Sequence, residues 1–279
     1  MHPEYPMADL CQALRVTRSG YHAWVSRRPG PRAQANAALL RLIEQAHVES
    51  HRTYGSPRVH RWLVQRGHDC GRHRIARLMR QGSLRSLSRR RFRPSSLTDS
   101  NHEWPIAPNR LREGALPLRR DTVWVADITY VNTDEGWLYV AAVVDRWTRR
   151  CVGWAMGESL ATSLPLAALN MALEHRHPPA GLIHHSDRGV QYASESYRQR
   201  LAAAGVVPSM SRRGNCYDNA LIESFWSSMK RELVHQVQFA TRAQARAAIF
   251  EWIEIFYNRE RLHSALGYQS PVDFETQLN

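Results

Sequence analysis

The spacing of hydrophobic and polar positions changes twice along the chain. Up to about residue 84, apolar side chains recur at helical spacing, as in "PRVHRWLVQRG", which Gly67 ends. Over 85–120 this periodicity is replaced by proline, serine and arginine. From residue 121, runs rich in Val, Trp and Tyr alternate with turns and helices. The pattern predicts a helical region at 1–84, an extended basic linker at 85–120 and an α/β domain at 121–279.

Two short helix pairs are predicted in the first region. "MADLCQALRVTRSGYHAWVSRR" has two helical patterns around the turn "VTRSG", and "GRHRIARLMRQG" forms a second pair with the helix before it. Both pairs are typical of a helix-turn-helix. The last helix sets Ile75, Leu78 and Met79 on one face and arginines on others, among them Arg72, Arg74 and Arg77. Such a helix either offers its arginines to DNA or is a plain hairpin with solvated arginines.

The third region predicts a ribonuclease-H-like order of elements. Three strands come first, in "TVWVADITYV", "WLYVAAVVDRWT" and "RRCVGWAMG", with hairpin-length links. There follow the helix "TSLPLAALNMALEHR", the strand "GLIHHSD", the helix "SESYRQRLAAAG", the strand "VVPSMS", the helix "YDNALIESFWSSMKRELV" and a long helix at about 241–257. We therefore expect an α/β domain with a mixed five-stranded sheet, preceded by a small all-α region.

The charge is unevenly distributed over the 279 residues. The net charge is +13, but residues 1–120 carry 23 Arg against 8 acidic residues, and residues 121–279 carry 15 basic against 17 acidic residues. A phosphate polymer is the usual partner of such a basic half. Uniform arginine enrichment would not explain the asymmetry. We expect DNA contacts here, including Arg89, Arg90 and Arg91 of the linker, although an arginine-rich segment can also be an idle tether.

Cysteine usage and hydropathy exclude several classes of protein. The four cysteines lie far apart and form no C-x-x-C pair, which argues against a zinc module and a disulfide framework. The longest apolar run, "LYVAAVV", is too short to span a bilayer, and the first ten residues contain no secretory signal. A soluble cytoplasmic protein without a membrane partner is expected.

Three acidic residues form a candidate catalytic site. Asp127 interrupts a strand otherwise suited to burial, Asp187 ends the strand "LIHHSD", and Glu223 lies on the following long helix, with thirty-five residues between it and Asp187. Taken singly, Asp127 suggests a structural ion pair, Asp187 a turn or cap, and Glu223 a solvated side chain. Together, in this order of elements, they are predicted to meet at one edge of the sheet. Carboxylates bind hard ions such as Mg²⁺, and two ions about 3.5–4 Å apart promote in-line displacement at phosphorus.

Lys230 is the only lysine of the chain. It follows Glu223 by seven residues, so on a helix it projects from the same side two turns further on. Beside the carboxylates, a phosphate contact is favoured over a merely solvated helix end. An apolar stripe is predicted to hold this helix on the sheet: Ile222, Phe225, Trp226, Met229 and Leu233.

Other polar residues have weaker functional claims. His184 and His185 adjoin Asp187, but a histidine at a strand end is by default packed or hydrogen-bonded. Asp218 or Asn219 is expected to cap the helix that carries Glu223. For a final trio, DNA contact and a structural role are equally favoured: Arg259, Arg261 and His263.

Several motifs resemble one family of mobile-element proteins. They are "TRSGYHAW", "TYGSPRVH", "RIARLMR", "WVADITYV", "HHSDRGVQY", "SMSRRGNCYDNALIESFWSSMKREL" and "YNRERLHSALGYQSPVDFE", which together span nearly the whole chain. They are similar to the second-reading-frame product of bacterial transposases of the insertion sequence three family, which have a retroviral-integrase-like core. The resemblance implies that Asp127, Asp187 and Glu223 are the catalytic, metal-binding triad and that Lys230 is the basic residue following it.

The resemblance also implies an activity and partners. We expect Mg²⁺-dependent cleavage and strand transfer at the ends of an insertion sequence, with Mn²⁺ as a substitute, by a homo-oligomer on double-stranded DNA at the bacterial nucleoid. In this family a first-reading-frame product usually supplies a leucine zipper, and no heptad zipper occurs here. That product is therefore expected as a fusion or partner. Two alternatives stay open: a DNA-binding regulator without its own catalysis and a ribonuclease-H-like nuclease.

Overall fold

The computed structural model describes residues 6–87, 103–112, 114, 119–212 and 219–278. The chain divides into two compact units, residues 1–86 and 87–279. Most of the expected linker, with Arg89, Arg90 and Arg91, lies outside the described residues, so its extended character and its DNA contacts stay predictions. Part of it belongs to the second unit, because Ala107 packs against the core there and the backbone N–H of Arg110 donates to Ser209 Oγ at 3.0 Å.

Five helices build the described part of the first unit. They are α1 (Met7–Ala13), α2 (Arg18–Val25), α3 (Pro31–Glu49), α4 (Ser56–Gln65) and α5 (Arg72–Gln81). Both predicted helix pairs are present. The turn of the first pair is shorter than "VTRSG", because Thr17 caps α2 by accepting a hydrogen bond from the N–H of Gly20. α3 was not predicted from the sequence, although Pro31 at its first turn and its many Ala and Leu residues are helix signals.

The core of the first unit is formed by α3, α4 and α5. The predicted stripe of α5 is buried, with Ile75, Leu78 and Met79 at most 5% exposed. It is accompanied by buried apolar residues of α3 and α4: Leu39, Ile43, Ala46, Val59, Trp62 and Leu63. In contrast, α2 contains no buried residue. The second helix pair therefore packs against α3. The predicted hairpin of α4 and α5 is part of a core of three helices.

The second unit contains the predicted mixed sheet. Its strands are β1 (Val123–Thr133), β2 (Gly136–Asp145), β3 (Cys151–Gly157), β4 (Ile183–Ser186) and β5 (Val207–Met210). Their order is β3-β2-β1-β4-β5. β1 pairs antiparallel with β2, and β2 with β3, whereas β4 lies parallel to both β1 and β5. The predicted ribonuclease-H-like fold class is confirmed.

Six α-helices accompany the sheet among the described residues. They are α6 (Ser163–Arg176), α7 (Val190–Ala193), α8 (Glu195–Ala203), α9 (Ala220–Met229), α10 (Arg242–Glu251) and α11 (Pro271–Thr276). α9 continues as π-helix over Lys230–Val234 and α10 over Trp252–Glu260. The two long predicted helices therefore exist, but each changes its hydrogen-bond register part of the way along, which widens the helix and rotates later side chains.

The two faces of β1 have different partners. Trp124 and Ala126 belong to the core shared with α6 and α8, which also contains Leu169 and Leu201. Because side chains alternate along a strand, Asp127 faces the other side. α6 packs closely on the sheet at Gly153, where any Cβ would collide with the carbonyl oxygen of Ala168.

Buried ion pairs fix the C-terminal part of the second unit. Arg261 is 4% exposed, and its Nε and Nη2 donate to the Glu232 carboxylate, both at 2.8 Å. His263 is also buried, and its ring lies edge-on to Tyr257 with centroids 4.8 Å apart. Of the trio left open by the sequence, Arg261 and His263 thus have structural roles, and only Arg259 is exposed.

Candidate active site

Asp127 and Asp187 are placed side by side by the parallel pairing of β1 and β4. The paired residues include Trp124 with His184 and Val125 with His185. Each aspartate lies two residues beyond the last of these pairs, so both occupy the same register and face the same side of the sheet. Neighbouring strands lie about 4.8 Å apart, and both side chains keep a partly exposed surface. The predicted convergence of these two residues follows directly from the sheet.

A tight turn fixes the backbone around Asp187. Its Oδ1 accepts a hydrogen bond from the N–H of Gly189 at 2.9 Å, an Asx-turn that starts the segment leading into α7. A side chain at position 189 would crowd this oxygen, since a Cβ there would stand 3.0 Å from it. Arg188 ties the same turn to the end of β5 by donating from Nε to the carbonyl of Ser211 at 2.7 Å. The carboxylate is therefore held at the sheet edge with one oxygen already oriented.

Glu223 is presented by the first turns of α9. Phe225 and Trp226 are buried on this helix, whereas Glu223 is exposed. Asn219 precedes the helix and was predicted as a possible cap, but its side chain makes no capping hydrogen bond. Instead, Asn219 Nδ2 donates to the carbonyl of Ala126 at 3.3 Å, next to Asp127 on β1. The other predicted cap, Asp218, lies outside the described residues.

The electrostatics of Asp127 link the three carboxylates. Burial raises its pKa well above the ordinary value, and the negative charge of Asp187, followed by that of Glu223, raises it further. Burial also raises the pKa of Glu223. Within the described ranges, Asp127 forms no ion pair with an arginine or lysine. The cluster thus accumulates negative charge without a salt-bridge partner at Asp127, an environment that favours a bound cation.

In the described part of the chain, no three His, Cys, Asp or Glu side chains stand together closely enough to hold a metal ion. The donor chemistry nevertheless fits a hard divalent cation, because all three candidate ligands are carboxylates. Their assignment as metal ligands stays a prediction.

Lys230 lies near this cluster and contacts an aromatic ring of β1. Its Nζ lies 4.8 Å from the centroid of the Tyr130 ring, a cation–π contact to β1. Burial lowers the pKa of Lys230, and the charge of Asp127 acts in the opposite direction. No sequence pattern indicated Tyr130 as a partner, because that contact depends on how α9 and its π-helical continuation lie on the sheet.

The two histidines before Asp187 are structural, as expected by default. His185 contacts Ser209 Oγ through Nδ1 at 2.8 Å and Ser211 Oγ through Nε2 at 3.1 Å. His184 contacts the Tyr197 hydroxyl through Nε2 at 3.1 Å, and burial lowers its pKa to about 3. Both rings serve to join β4 to its neighbours, and His184 stays neutral.

The arginines of α5 differ in their surroundings. Arg72 is exposed, Arg74 is half-buried and donates from Nε to Asn36 Oδ1 at 2.9 Å, and the Nε of Arg77 is buried. Arg72 is thus the most accessible of the three for a phosphate. Their predicted DNA contacts stay predictions.

Comparisons with known protein families divide the chain in a similar way. Residues 117–216 match a family described as an integrase core domain, and residues 204–271 match a second family with the same description. Residues 34–92 match an HTH-like domain. The first of these ranges contains Asp127 and Asp187, and the second contains Glu223. No helix within the described ranges is long and apolar enough to cross a membrane.

Two relatives are similar over almost the whole chain. The insertion element IS600 uncharacterized 31 kDa protein of Shigella sonnei is 47% identical over 97% of this chain and 98% of its own length. Transposase InsF for insertion sequence IS3A of Escherichia coli strain K12 is 38% identical over 98% of this chain and 95% of its own length. Among solved structures, the magnesium complex of the HTLV-2 integrase catalytic core covers 57% of this chain and 98% of its own, with 12% identity and a TM-score of 0.45, too low a similarity to compare residue roles.

Proposed function

Because the chain belongs to the IS3 family of transposases and carries an integrase core, we propose that it cleaves DNA at the ends of an insertion sequence and joins the exposed 3′-hydroxyl to target DNA. The observation that carries the proposal is the equal register of Asp127 and Asp187 on parallel strands, with Glu223 acting electrostatically on the same carboxylate. DNA is the substrate class of an HTH-containing transposase, and the basic first half provides charge for its phosphates.

Asp127, Asp187 and Glu223 are the proposed ligands of divalent cations, Mg²⁺ or its substitute Mn²⁺. A pair of such ions, when bound, activates the attacking oxygen and stabilises the leaving oxygen at phosphorus. The protein contributes position: β1 and β4 fix two carboxylates side by side, and the Gly189 N–H orients one oxygen of Asp187. Asn219 ties the start of the Glu223 helix to the carbonyl beside Asp127.

Lys230 is the proposed phosphate-binding residue of the site. Within the described ranges it forms no ion pair, and its ammonium rests on the face of Tyr130. A partly desolvated ammonium beside acidic residues gains from an incoming phosphate, which carries the opposite charge and several acceptor oxygens. Lys230 is thus expected to hold the DNA strand against the metal-binding edge of the sheet.

The proposal is tested by strand cleavage and strand transfer on labelled element-end DNA with Mg²⁺. Asp127→Asn, Asp187→Asn and Glu223→Gln each remove one negative charge with little change in shape, and we expect each to lower both activities by a factor of 100 or more, on the order of 3 kcal/mol. Matched controls are Asp134→Asn at the β1–β2 turn and Glu195→Gln on α8, both of which are exposed and outside the proposed ligand set.

Activity in all three acidic variants equal to the controls would remove the proposal. Cleavage without any joining would instead favour a ribonuclease-H-like nuclease. DNA binding without metal-dependent chemistry, alone or with a first-reading-frame product, would favour a regulator. Assembly as a homo-oligomer on DNA, and with that product, is part of the proposal; light scattering of the protein–DNA complex measures its mass and tests it.

A further inference from the structure

A buried indole on α9 has no role in the chemistry above. Trp226 follows Glu223 by three residues, is 5% exposed and has a fully buried Nε1. Among the described residues, this Nε1 has no acceptor within full hydrogen-bond geometry. An indole N–H can only donate, and a buried donor without an acceptor costs free energy. Because Nε1 has no contact with solvent, the acceptor that it needs is a group of the protein.

The carboxylate of Asp127 is the acceptor toward which this N–H is directed. The pKa of Asp127 is raised chiefly by burial, and a hydrogen-bonding contact from the Trp226 side chain acts in the opposite direction. Hydrogen bonds weaken steeply with distance and angle, so an indole that has this effect lies close to the carboxylate and points to it. The contact nevertheless falls short of a fully formed hydrogen bond.

The position of the indole is fixed from two sides. Its ring lies edge-on to Phe225 with centroids 4.8 Å apart, and Phe225 packs in turn against Tyr257 at 4.7 Å. At the start of α9, Asn219 donates to the carbonyl of Ala126, the residue before Asp127. The helix is thus held against β1. Any adjustment of the contact falls to the Asp127 side chain, which keeps a partly exposed surface.

Asp187 already has the kind of contact that the indole offers to Asp127. Its Oδ1 accepts a hydrogen bond from the N–H of Gly189 at 2.9 Å, which orients the carboxylate. Carboxylates that bind metal ions are in general hydrogen-bonded by outer groups, and loss of such a group weakens metal binding. A donor at Asp127 gives both aspartates of the proposed site this support.

We propose that Trp226 is a positioning residue of the metal site, whose indole N–H donates to the Asp127 carboxylate and so orients it for the divalent cation. A small rotation of the Asp127 side chain completes the hydrogen bond, and a bound cation favours it because an ionised carboxylate is the stronger acceptor. The same surface of α9 then supplies a ligand, Glu223, and the support of a ligand, Trp226. The inference rests on the proposed function, since it concerns the cation that Asp127 is proposed to bind.

A matched pair of variants separates positioning from packing. Trp252 is also 5% exposed, its Nε1 is likewise buried without a partner in the described part of the chain, and its ring packs against the same Phe225 at 5.5 Å. Trp226→Phe and Trp252→Phe each remove one indole N–H and keep an aromatic ring, so we expect similar losses of stability in urea. Only Trp226→Phe is expected to raise the Mg²⁺ concentration for half-maximal cleavage of element-end DNA, by about tenfold or more.

Nuclear magnetic resonance tests the contact without DNA and without catalysis. The readout is the indole N–H resonance of Trp226 in the ¹⁵N-labelled full chain. On addition of Mg²⁺ it is expected to move downfield in the wild type and to stay in place in Asp127→Asn. The indole resonance of Trp252 is expected to stay in place in both proteins. The amide resonance of Gly189, whose N–H is bound to Asp187, reports cation binding at the site independently of the indole.

The outcomes distinguish this inference from the proposed function. A response of the Gly189 resonance to Mg²⁺ with an unmoved Trp226 indole would overturn the inference and leave the metal site in place. No response of either resonance would overturn both. Equal Mg²⁺ requirements in Trp226→Phe and Trp252→Phe would likewise remove the positioning role. If Trp226→Phe does not fold, the comparison of the wild type with Asp127→Asn by resonance still decides the question.

Discussion

At the scale of single residues, burial decides which ionisable groups carry charge near the site. Asp127 is a carboxylate placed where its charge is disfavoured by burial and by two neighbouring carboxylates. Lys230 is an ammonium placed on an aromatic ring instead of in a salt bridge. His184 is neutral because it is enclosed by the core around Tyr197. Each of these states is set by surroundings that come from other elements of the chain.

Lys230 is expected to contribute to DNA engagement through its charge. Lys230→Gln should lower strand transfer by roughly ten- to a hundredfold, since hydrogen bonds to charged groups contribute about 1.5–3 kcal/mol. Lys230→Arg should recover part of this loss because it keeps the charge and the contact to Tyr130. Strand-transfer rates on element-end DNA measure both. Wild-type rates in Lys230→Gln would rule out the phosphate contact.

His184 is expected to make the second unit sensitive to acid. Its pKa is about 3 in the fold and 6.5 ordinarily. Between these values the unfolded chain binds the extra proton, so stability falls as pH falls through this window, by up to about 1.4 kcal/mol per pH unit. Asp145 has the opposite effect on the pH dependence of stability. Burial raises its pKa to about 6, so the folded chain binds a proton that the unfolded chain has lost, and stability decreases as pH rises from about 4 to 6.

Comparing variants separates these two effects. The free energy of unfolding in urea, measured at several pH values between 4 and 7, should depend less on acid in His184→Gln than in the wild type. Tyr197→Phe removes the hydrogen bond but leaves the titrating ring in place, so it should keep the wild-type dependence. Identical pH profiles for the wild type and His184→Gln would contradict the assignment.

At the scale of elements, the position of α9 determines the site as much as its sequence does. The helix is held by Asn219 at its start and, in its π-helical continuation, by the buried pair of Glu232 with Arg261. Arg261 Nη2 also donates to Ser228 Oγ at 3.2 Å, so α9, its continuation and the segment after α10 are joined at one point. Glu223 and Lys230 lie between these two attachments, which fixes their common orientation toward β1.

Breaking the buried pair is expected to destabilise the second unit. Glu232→Gln leaves the Arg261 guanidinium buried with one charged partner fewer, which should lower the free energy of unfolding by about 3–5 kcal/mol. The matched control is Glu158→Gln in the pair with Arg242, where the Glu158 side chain is 63% exposed; it should cost less than about 1 kcal/mol. Urea unfolding gives both values, and equal effects would show that the buried pair is dispensable.

At the scale of the whole molecule, function is divided between a basic half and an acid-bearing sheet. The first 120 residues carry most of the positive charge, whereas the carboxylates belong to the nearly neutral remainder. Such a division lets affinity for DNA come from phosphate contacts that are independent of sequence, while the residues proposed to bind metal lie in the nearly neutral part of the chain. The HTH-like match at residues 34–92 lies in the basic half.

Salt dependence of DNA binding tests this division. Arg72→Gln should weaken binding and reduce the slope of log affinity against log salt concentration by about one, because an exposed arginine that contacts phosphate releases about one counterion. Arg74→Gln should change the slope less, since Arg74 already binds Asn36. Fluorescence anisotropy over a range of salt concentrations measures the slopes. An unchanged slope in Arg72→Gln would place the phosphate contacts on other residues.

The sequence by itself determined the class of fold and the order of the five strands, and it pointed to the three acidic residues of the proposed catalytic site. Those features depend on local signals, each of which lies within a short stretch of the chain. They are the period of apolar positions, the turn residues and the carboxylate of Asp127 in a strand otherwise suited to burial. It missed α3, whose helix signals were present, and it assigned to Asn219 a capping role that its side chain does not have.

Only the tertiary structure decided which distant groups meet. It set the common register of Asp127 and Asp187, the contact of Lys230 with Tyr130 and the buried pairing of Arg261 with Glu232. The physical reason is that these contacts join residues far apart in the chain, and their geometry is set by strand pairing and by close packing of helices on the sheet. No local pattern encodes that geometry.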